Sequence, residues 1–324
     1  MPRGCDTRSY ARPVDGDLNP AQAATLAMLR GEGDRPSYDP VLRDHLRKRL
    51  EEGVADLADL VPGKPEWIGK TPLGRVFACE GYEVAEHAED FGWNLSSSRG
   101  AVAHKAVELS VHTREAPLPV LLVDRAVGRF VDDPDSSLGT FLGGLDDLDL
   151  AELRSEVVST VSDFLDQWPP LKPAWRPTTE AKVKAELCGG KVIVQGKVDL
   201  ALGAPAGTTA GRVLVELKTG GFRQQHLDDL RLYALLETLR VGVPPLRLAV
   251  HLLDSGRLVV AEVDEDALEA ALLRTIAGVR ALLELRLGLR SPLLNPNHAC
   301  SWCPARETCE GAVRWAETDP DDEP

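Results

Sequence analysis

Residues 180–187 alternate in character. Val183, Ala185 and Leu187 fall on one side, and Lys182, Lys184 and Glu186 on the other. This period of two predicts a half-buried strand over Glu180–Leu187. Gly189-Gly190 then supplies a hairpin turn, and Lys191–Leu200 (KVIVQGKVDL) is the return strand. A loop rich in Gly, Ala and Thr covers Ala201–Ala210, and the apolar run RVLVELK predicts a buried strand over Arg212–Lys218. The pattern then changes to a helical period over Gln224–Arg240, closed by Gly242 and Pro244-Pro245. Strands follow at Leu246–Leu253 and Arg257–Val263 around the turn Asp254-Ser255-Gly256, and a long helix runs from Glu265 to about Leu289. This order predicts an α/β core with a mixed central sheet flanked by helices.

The first half reads less regularly. Asn19-Pro20 is a cap and first-turn pair opening a helix over Ala21–Arg30, and a second helix is expected over Pro40–Leu60. Residues 1–70 are therefore expected to form an N-terminal helical appendage, with a linker around Pro62–Pro72 before a main domain over 71–315. A helix starts near Ser97 and carries Gly100, His104 and Glu108. Apolar segments lie at Val120–Val123 and Ala126–Val131, residues 131–149 read as an acidic linker, and another helix covers about Leu150–Trp168.

Charge changes the picture once it is located. The 324 residues carry 51 acidic and 37 basic side chains, a net −14, which argues at first against a nucleic-acid partner. Residues 131–156 hold eight acids against Arg154, and residues 310–324 hold six against Arg314. These two stretches carry −12 of the −14, so the motif-bearing segments are near neutral. Residues 316–324 read as a disordered acidic tail. Arg212, Lys218, Arg223, Arg231, Arg240 and Arg247 form one basic cluster, and Arg274, Arg280, Arg286 and Arg290 another. Either could line a groove tracking phosphates or lie on solvated helix faces. No apolar run reaches the length of a membrane helix and the N-terminus lacks the apolar centre of a signal peptide, so the expected location is cytoplasmic. The run LNPAQ is faintly similar to the start of some helicase motors, but no GxxxxGK[ST] follows it, which excludes a motor.

The candidate chemistry sits on the strands. Asp199 ends one, and Glu216 and Lys218 share a face of the next, with Leu217 on the other face. If the strands are neighbours, Asp199 lies beside Glu216. Two such carboxylates repel unless one is protonated or a divalent cation neutralises both. Hard oxygen ligands suit Mg²⁺ or Mn²⁺, and a lysine on the same face can orient water and offset charge on a phosphate. An ordinary Glu–Lys pair on a solvated strand end is the alternative reading of these residues alone.

GKVDLALG, VLVELKTG and HLDDLRLYALL, in that order, resemble the PD-(D/E)XK nuclease superfamily, and within it the RecB-type branch. That branch carries GxxxH on the helix before the sheet, matched here by Gly100 to His104. The resemblance implies a restriction-endonuclease-like core, with His104, Asp199, Glu216 and the Leu217 carbonyl as metal ligands. It makes Lys218 the catalytic lysine and Tyr233 the tyrosine of a QxxxY motif. The glutamine position of that motif holds Asp229 instead.

Cys300, Cys303 and Cys309 form C-x2-C-x5-C, a soft-metal pattern for an iron–sulfur cluster or zinc. With Cys79 ahead of the GxxxH helix, the layout resembles the iron–sulfur nucleases of the same branch, AddB and the CRISPR-adaptation nucleases among them. The resemblance implies a [4Fe–4S] cluster on Cys79, Cys300, Cys303 and Cys309, with Zn²⁺ as the alternative. Such a cluster would staple residue 79 to residues 300–309. Cys5 and Cys188 read as incidental, and Trp302 as packed over the cluster or stacked on a base. The function these residues point to is a Mg²⁺- or Mn²⁺-dependent deoxyribonuclease. It is expected to be an exonuclease on single-stranded or frayed ends, in repair, recombination, phage defence or CRISPR adaptation, with a helicase or integrase partner. The alternative is a non-catalytic DNA-end-binding subunit of a helicase or adaptation complex.

Overall fold

A computed structural model describes residues 18–113 and 118–316. Cys5 and residues 317–324, the greater part of the expected acidic tail, lie outside them. The strands are β1 (Glu66–Ile68), β2 (Thr178–Leu187), β3 (Val192–Gly203), β4 (Arg212–Lys218), β5 (Arg247–Leu252) and β6 (Arg257–Glu262). They form one mixed sheet in the order β1-β3-β4-β5-β6, with β2 paired to β3. β1–β3 and β4–β5 are parallel, and the remaining pairs antiparallel.

The long strand β3 organises the sheet. One edge carries β2 along residues 192–201. The other edge is shared: β1 takes residues 192–194 and β4 takes residues 200–203. Between them, residues 195–199 have no strand partner on that edge. Ile68 ends β1 opposite Val194, so the chain after β1 rises toward Gly196, while β4 runs down past Val215 toward the same gap. The sheet is forked there.

One face of the sheet is covered by α2 (Leu42–Ala58), α9 (Gln224–Val241) and α10 (Glu265–Arg286), with α3 (Lys70–Ala78) beside them. Leu46, Leu50, Leu230, Leu235, Leu236, Leu272 and Leu282 pack here against Val192, Val194, Leu214 and Val250. The other face is covered by α5 (Leu95–Val111), α6 (Pro119–Val131), α7 (Ser137–Gly143) and α8 (Asp147–Gln167), packed on Leu200, Val215 and Leu217. α1 (Pro20–Arg30) rests on α8, and α4 (Glu80–His87) follows α3 directly. A final helix, α11, covers Glu310–Ala316.

Local chemistry sets the boundaries. The Asn19 side chain accepts from the Gln22 amide at 2.8 Å and Pro20 stands at the first helical position, opening α1. Asn94 accepts from the Ser97 amide at 2.9 Å, placing the start of α5 two residues before the expected Ser97. Gly242 closes α9 with φ 87°, a left-handed cap that favours glycine.

Three expectations are corrected. Residues 42–68 are no appendage: α2 buries Leu46, Leu50, Val54 and Leu57 in the main core, and β1 is a strand of the sheet. The stretch 131–149 is not a linker, because α7 lies within it and buries Leu138 and Leu142. Its acids crowd the exposed side and mask that apolar pair. The two apolar segments at 120–131 are one amphipathic helix, α6, opened by Pro119.

Candidate active site

The fork in the sheet is the floor of a large cleft. It is lined by Lys70, Gly100, His104, Gln195, Gly196, Asp199, Lys218 and Tyr233, with Trp67, Trp93 and Trp302 around it. Each residue arrives for a separate reason. β4 brings Glu216 and Lys218 on the face of Leu214, toward α9, while Leu217 turns into the opposite core. α5 brings His104. Its Gly100 matters because a Cβ there would stand 3.2 Å from Thr219 Oγ1, so the absent side chain lets the helix settle on the end of β4.

Asp199 occupies a local irregularity. Val198 and Ala201 both join the face under α9, whereas Leu200 joins the opposite face, so strict alternation slips by one residue at Asp199. On β2, Glu180 has φ 53°, a left-handed conformation costly for a residue with a Cβ, and it stands beside this slip.

The contacts are short and charged. Asp199 Oδ2 accepts from the Leu217 amide at 2.7 Å, and Oδ1 lies 3.4 Å from His104 Nδ1. Glu216 is 0% exposed, and its Oε1 takes both Lys218 Nζ at 2.5 Å and Lys70 Nζ. Its other oxygen, Oε2, is buried with no hydrogen-bond partner among the described residues. Burial, which would lower the His104 pKa, is outweighed by the Asp199 carboxylate, so the imidazole is held above its usual value. Burial likewise would raise Asp199, but His104, Lys218 and the Leu217 amide hold it well below the carboxylate range. Asp229 behaves oppositely: burial pushes it up to about 6, against the pull of Lys70. The Tyr233 ring packs closely against Gly196, where a Cβ would come 2.0 Å from its Cε1, and Lys70 Nζ sits 5.5 Å from the ring centre. Burial raises its phenol.

The structure thus brings His104, Asp199, Glu216, Lys218 and Tyr233 into one site, with the Leu217 amide tied to Asp199. Lys70 belongs to the same site and was missed. Its only sequence signal would have been the short triplet Glu66-Trp67-Ile68, which forms a strand just before it. Most of the candidate groove arginines are held in ion pairs. Arg280 is tied to Asp56, Arg286 to Glu66 and Glu83, Arg290 to Glu80 and Glu284, and Arg212 and Arg240 to Glu237. Arg240 reaches the edge of the cleft, but lysines 105, 182, 184, 197 and 218 supply most of its positive lining.

The cysteines form a second locus. Cys79 lies between α3 and α4, and the Asn295 amide donates to its sulfur at 3.4 Å. The Asn297 amide donates to Cys300 at 3.4 Å, while the side chains of Asn295 and Asn297 both hold the Ala78 carbonyl. Burial pushes the Cys303 thiol up, and nearby Cys300, Cys79 and Cys309 push the same way, so all four thiols sit in one neighbourhood. All are free thiols, and among the described residues no three His, Cys, Asp or Glu side chains close around a single-ion position. Cys188 stands apart with φ 51°, its thiol 3.7 Å from the Glu51 carbonyl.

Among the described residues no helix is long and apolar enough to cross a membrane. No curated protein sequence matches the chain. Among solved structures, a Eubacterium rectale protein named as a candidate exonuclease aligns over 80% of this chain and 90% of its own, at 11% identity and TM-score 0.43. The protein SSO0001 aligns over 82% of this chain and 94% of its own, at 15% identity and TM-score 0.33. A family model for the PD-(D/E)XK nuclease superfamily matches residues 80–310, a span that includes His104, Asp199, Glu216, Lys218 and Tyr233. On that match the chain belongs to the PD-(D/E)XK nuclease superfamily.

Proposed function

We propose that the protein is a Mg²⁺- or Mn²⁺-dependent deoxyribonuclease of the RecB-type branch, acting on single-stranded or frayed DNA ends. The observation that carries this reading is the orphaned Glu216 Oε2. A fully buried carboxylate oxygen without a donor is costly unless a cation completes it. Asp199 lies against His104, and the Glu216 charge acts on that imidazole, so the kinds of donor gathered here suit a hard divalent ion. His104, Asp199, Glu216 and the Leu217 carbonyl would hold it. When bound, the ion would make water nucleophilic and stabilise charge on the scissile phosphate.

The chain's own residues do the rest. Lys218 Nζ, fixed on Glu216 Oε1, can orient a water toward the phosphorus and offset charge on the phosphate. The Leu217 amide and His104 fix both oxygens of Asp199. Exposed rings at the cleft, Trp67 at 51% and Trp302 at 63%, offer stacking faces for unpaired bases, and the lysines track the backbone. The intact Asp199, Glu216 and Lys218 set favours catalysis over a purely end-binding subunit. Cys79, Cys300, Cys303 and Cys309 would hold a [4Fe–4S] cluster. Their shared neighbourhood and the amide donors to two of the sulfurs support this reading, with Zn²⁺ as the alternative. A helicase or integrase partner in repair or phage defence is consistent with end processing.

The test is degradation of single-stranded DNA, duplex DNA and RNA under titrated Mn²⁺ and Mg²⁺. Asp199→Ala and Lys218→Ala should each abolish cleavage while melting near wild type. Undiminished cleavage in either pure variant overturns the reading. Anaerobically purified protein should be brown and lose its colour in Cys303→Ser, whereas colourless, zinc-loaded protein would refute the cluster.

A further inference from the structure

Lys70 lies outside the span matched by the nuclease family, yet it reaches two carboxylates and an aromatic ring of the site. β1 delivers it: three parallel pairs with β3 carry the chain to Val194, and Gly69 and Lys70 follow into the fork opposite Gln195 and Gly196. There Nζ contacts Glu216 Oε1, lies 3.8 Å from Asp229 Oδ2 and stands over the Tyr233 ring. The side chain is only 27% exposed. Ordering a lysine costs rotamer entropy, so a strong attraction must hold it here. The attraction is two carboxylates and an aromatic face.

Asp229 explains why both are needed. It is 9% exposed and occupies the position at which the resembling nucleases carry a neutral glutamine. An aspartate there adds a negative charge beside Glu216, and Lys70 adds the positive charge that cancels it. The two lysines also divide Glu216 usefully: both sit on Oε1, which leaves Oε2 unclaimed.

We propose that Lys70 is a positioning residue: with Asp229 it forms a charge-balanced clamp that replaces the neutral glutamine and holds Glu216 with one oxygen free. This deepens the nuclease reading above and rests on it.

The test compares wild type, Lys70→Met, Asp229→Gln and the double variant. It measures kcat and KM on a single-stranded oligonucleotide, the Mn²⁺ concentration for half-maximal rate, and melting temperature. Lys70→Met should lower kcat about tenfold or more, the loss expected for one charge-assisted hydrogen bond. It should raise the Mn²⁺ requirement and leave KM within about threefold. Asp229→Gln in the same chain should restore most of both, because the unbalanced carboxylate is gone. A merely structural lysine would not be rescued by a second polar substitution at this site. Active wild type with unaffected Lys70→Met, or a double variant no better than Lys70→Met, overturns the clamp. If wild type cleaves nothing, the nuclease reading fails instead, and melting decides the clamp: rescue of Lys70→Met by Asp229→Gln upholds it and additive losses overturn it.

Discussion

A methyl group added at Gly196 should disrupt the site through Tyr233, and the geometry fixes the size of the effect. The new Cβ would stand 2.0 Å from Tyr233 Cε1, 2.6 Å from Cδ1 and 3.0 Å from Cζ. Non-bonded carbons settle at about 3.5–4.0 Å, so the ring must retreat by roughly 1.5 Å. It has little room, because Tyr233 is buried among Leu230, Leu235 and Leu236. Overpacking of this kind costs about 1–3 kcal/mol, and an overlap this deep belongs at the upper end. Tyr233→Ala should cost about 3–5 kcal/mol through the cavity it leaves. In the double variant the methyl enters that cavity, so the two losses should overlap by at least about 1 kcal/mol. Thermal melts of the four proteins measure this, with about 2 °C expected per kcal/mol in a chain of this size. Because Lys70 rests over the ring, Gly196→Ala should also slow cleavage. Losses additive to within about 0.5 kcal/mol, or a Gly196→Ala protein melting like wild type, would refute the close packing of Tyr233 on β3.

Further outcomes follow from other parts of the structure. His251 is buried against Phe164 and Trp168, its Nε2 3.3 Å from Gln167 Oε1, and burial lowers its pKa to about 4 from 6.5. The unfolded chain therefore binds the proton first: this contribution is complete above pH 6.5, declines as pH falls toward 4, and amounts to about 2 kcal/mol lost by pH 5. His251→Leu should flatten the fall in melting temperature between pH 7 and pH 5, and an unchanged slope would contradict the assignment. Arg290 forks onto Glu80, Nη2 to Oε1 at 2.7 Å, and also reaches Glu284 at 2.6 Å, while Glu80 accepts the Leu293 amide at 2.7 Å. Arg290→Ala should cost about 2–3 kcal/mol by leaving Glu80 largely uncompensated, and should speed proteolysis of residues 288–297; protection equal to wild type argues otherwise.

The parts of this fold that were legible in the sequence are those set by short-range periodicity. The β2–β3 hairpin, β4, α9 and the β5–β6 pair lie within a few residues of their expected bounds. In each, one apolar face and a turn residue speak together. The pairing of β3 with β4, which carries Asp199 to the Leu217 amide, was also legible, because hairpin registers propagate. What escaped depends on distant partners. β1 is three residues long between Pro65 and Gly69, too short for a period, and it is a strand only because β3 offers an edge. Lys70 acquires its role solely through that strand. The slip at Asp199 is stabilised by surroundings on both sides of β3, and no local pattern encodes it. α7 escaped for a different reason: Asp133, Asp135, Asp146 and Asp147 dominate its flanks, while its apolar content is a single turn.

The insertion of α3 through α8 between β1 and the strands it serves has a temporal side. Lys70 and Glu216 are 146 residues apart in the chain. At a synthesis rate of roughly 5–20 residues per second, the ribosome delivers Glu216 about 7–30 s after Lys70. For most of that interval the short strand has no β3 to join, and until its end the lysine has neither Glu216 nor Asp229. α5 to α8 and the hairpin must therefore form a platform before β1 can dock. The fork is therefore completed only after Glu216 and Asp229 have emerged, well after β1 itself.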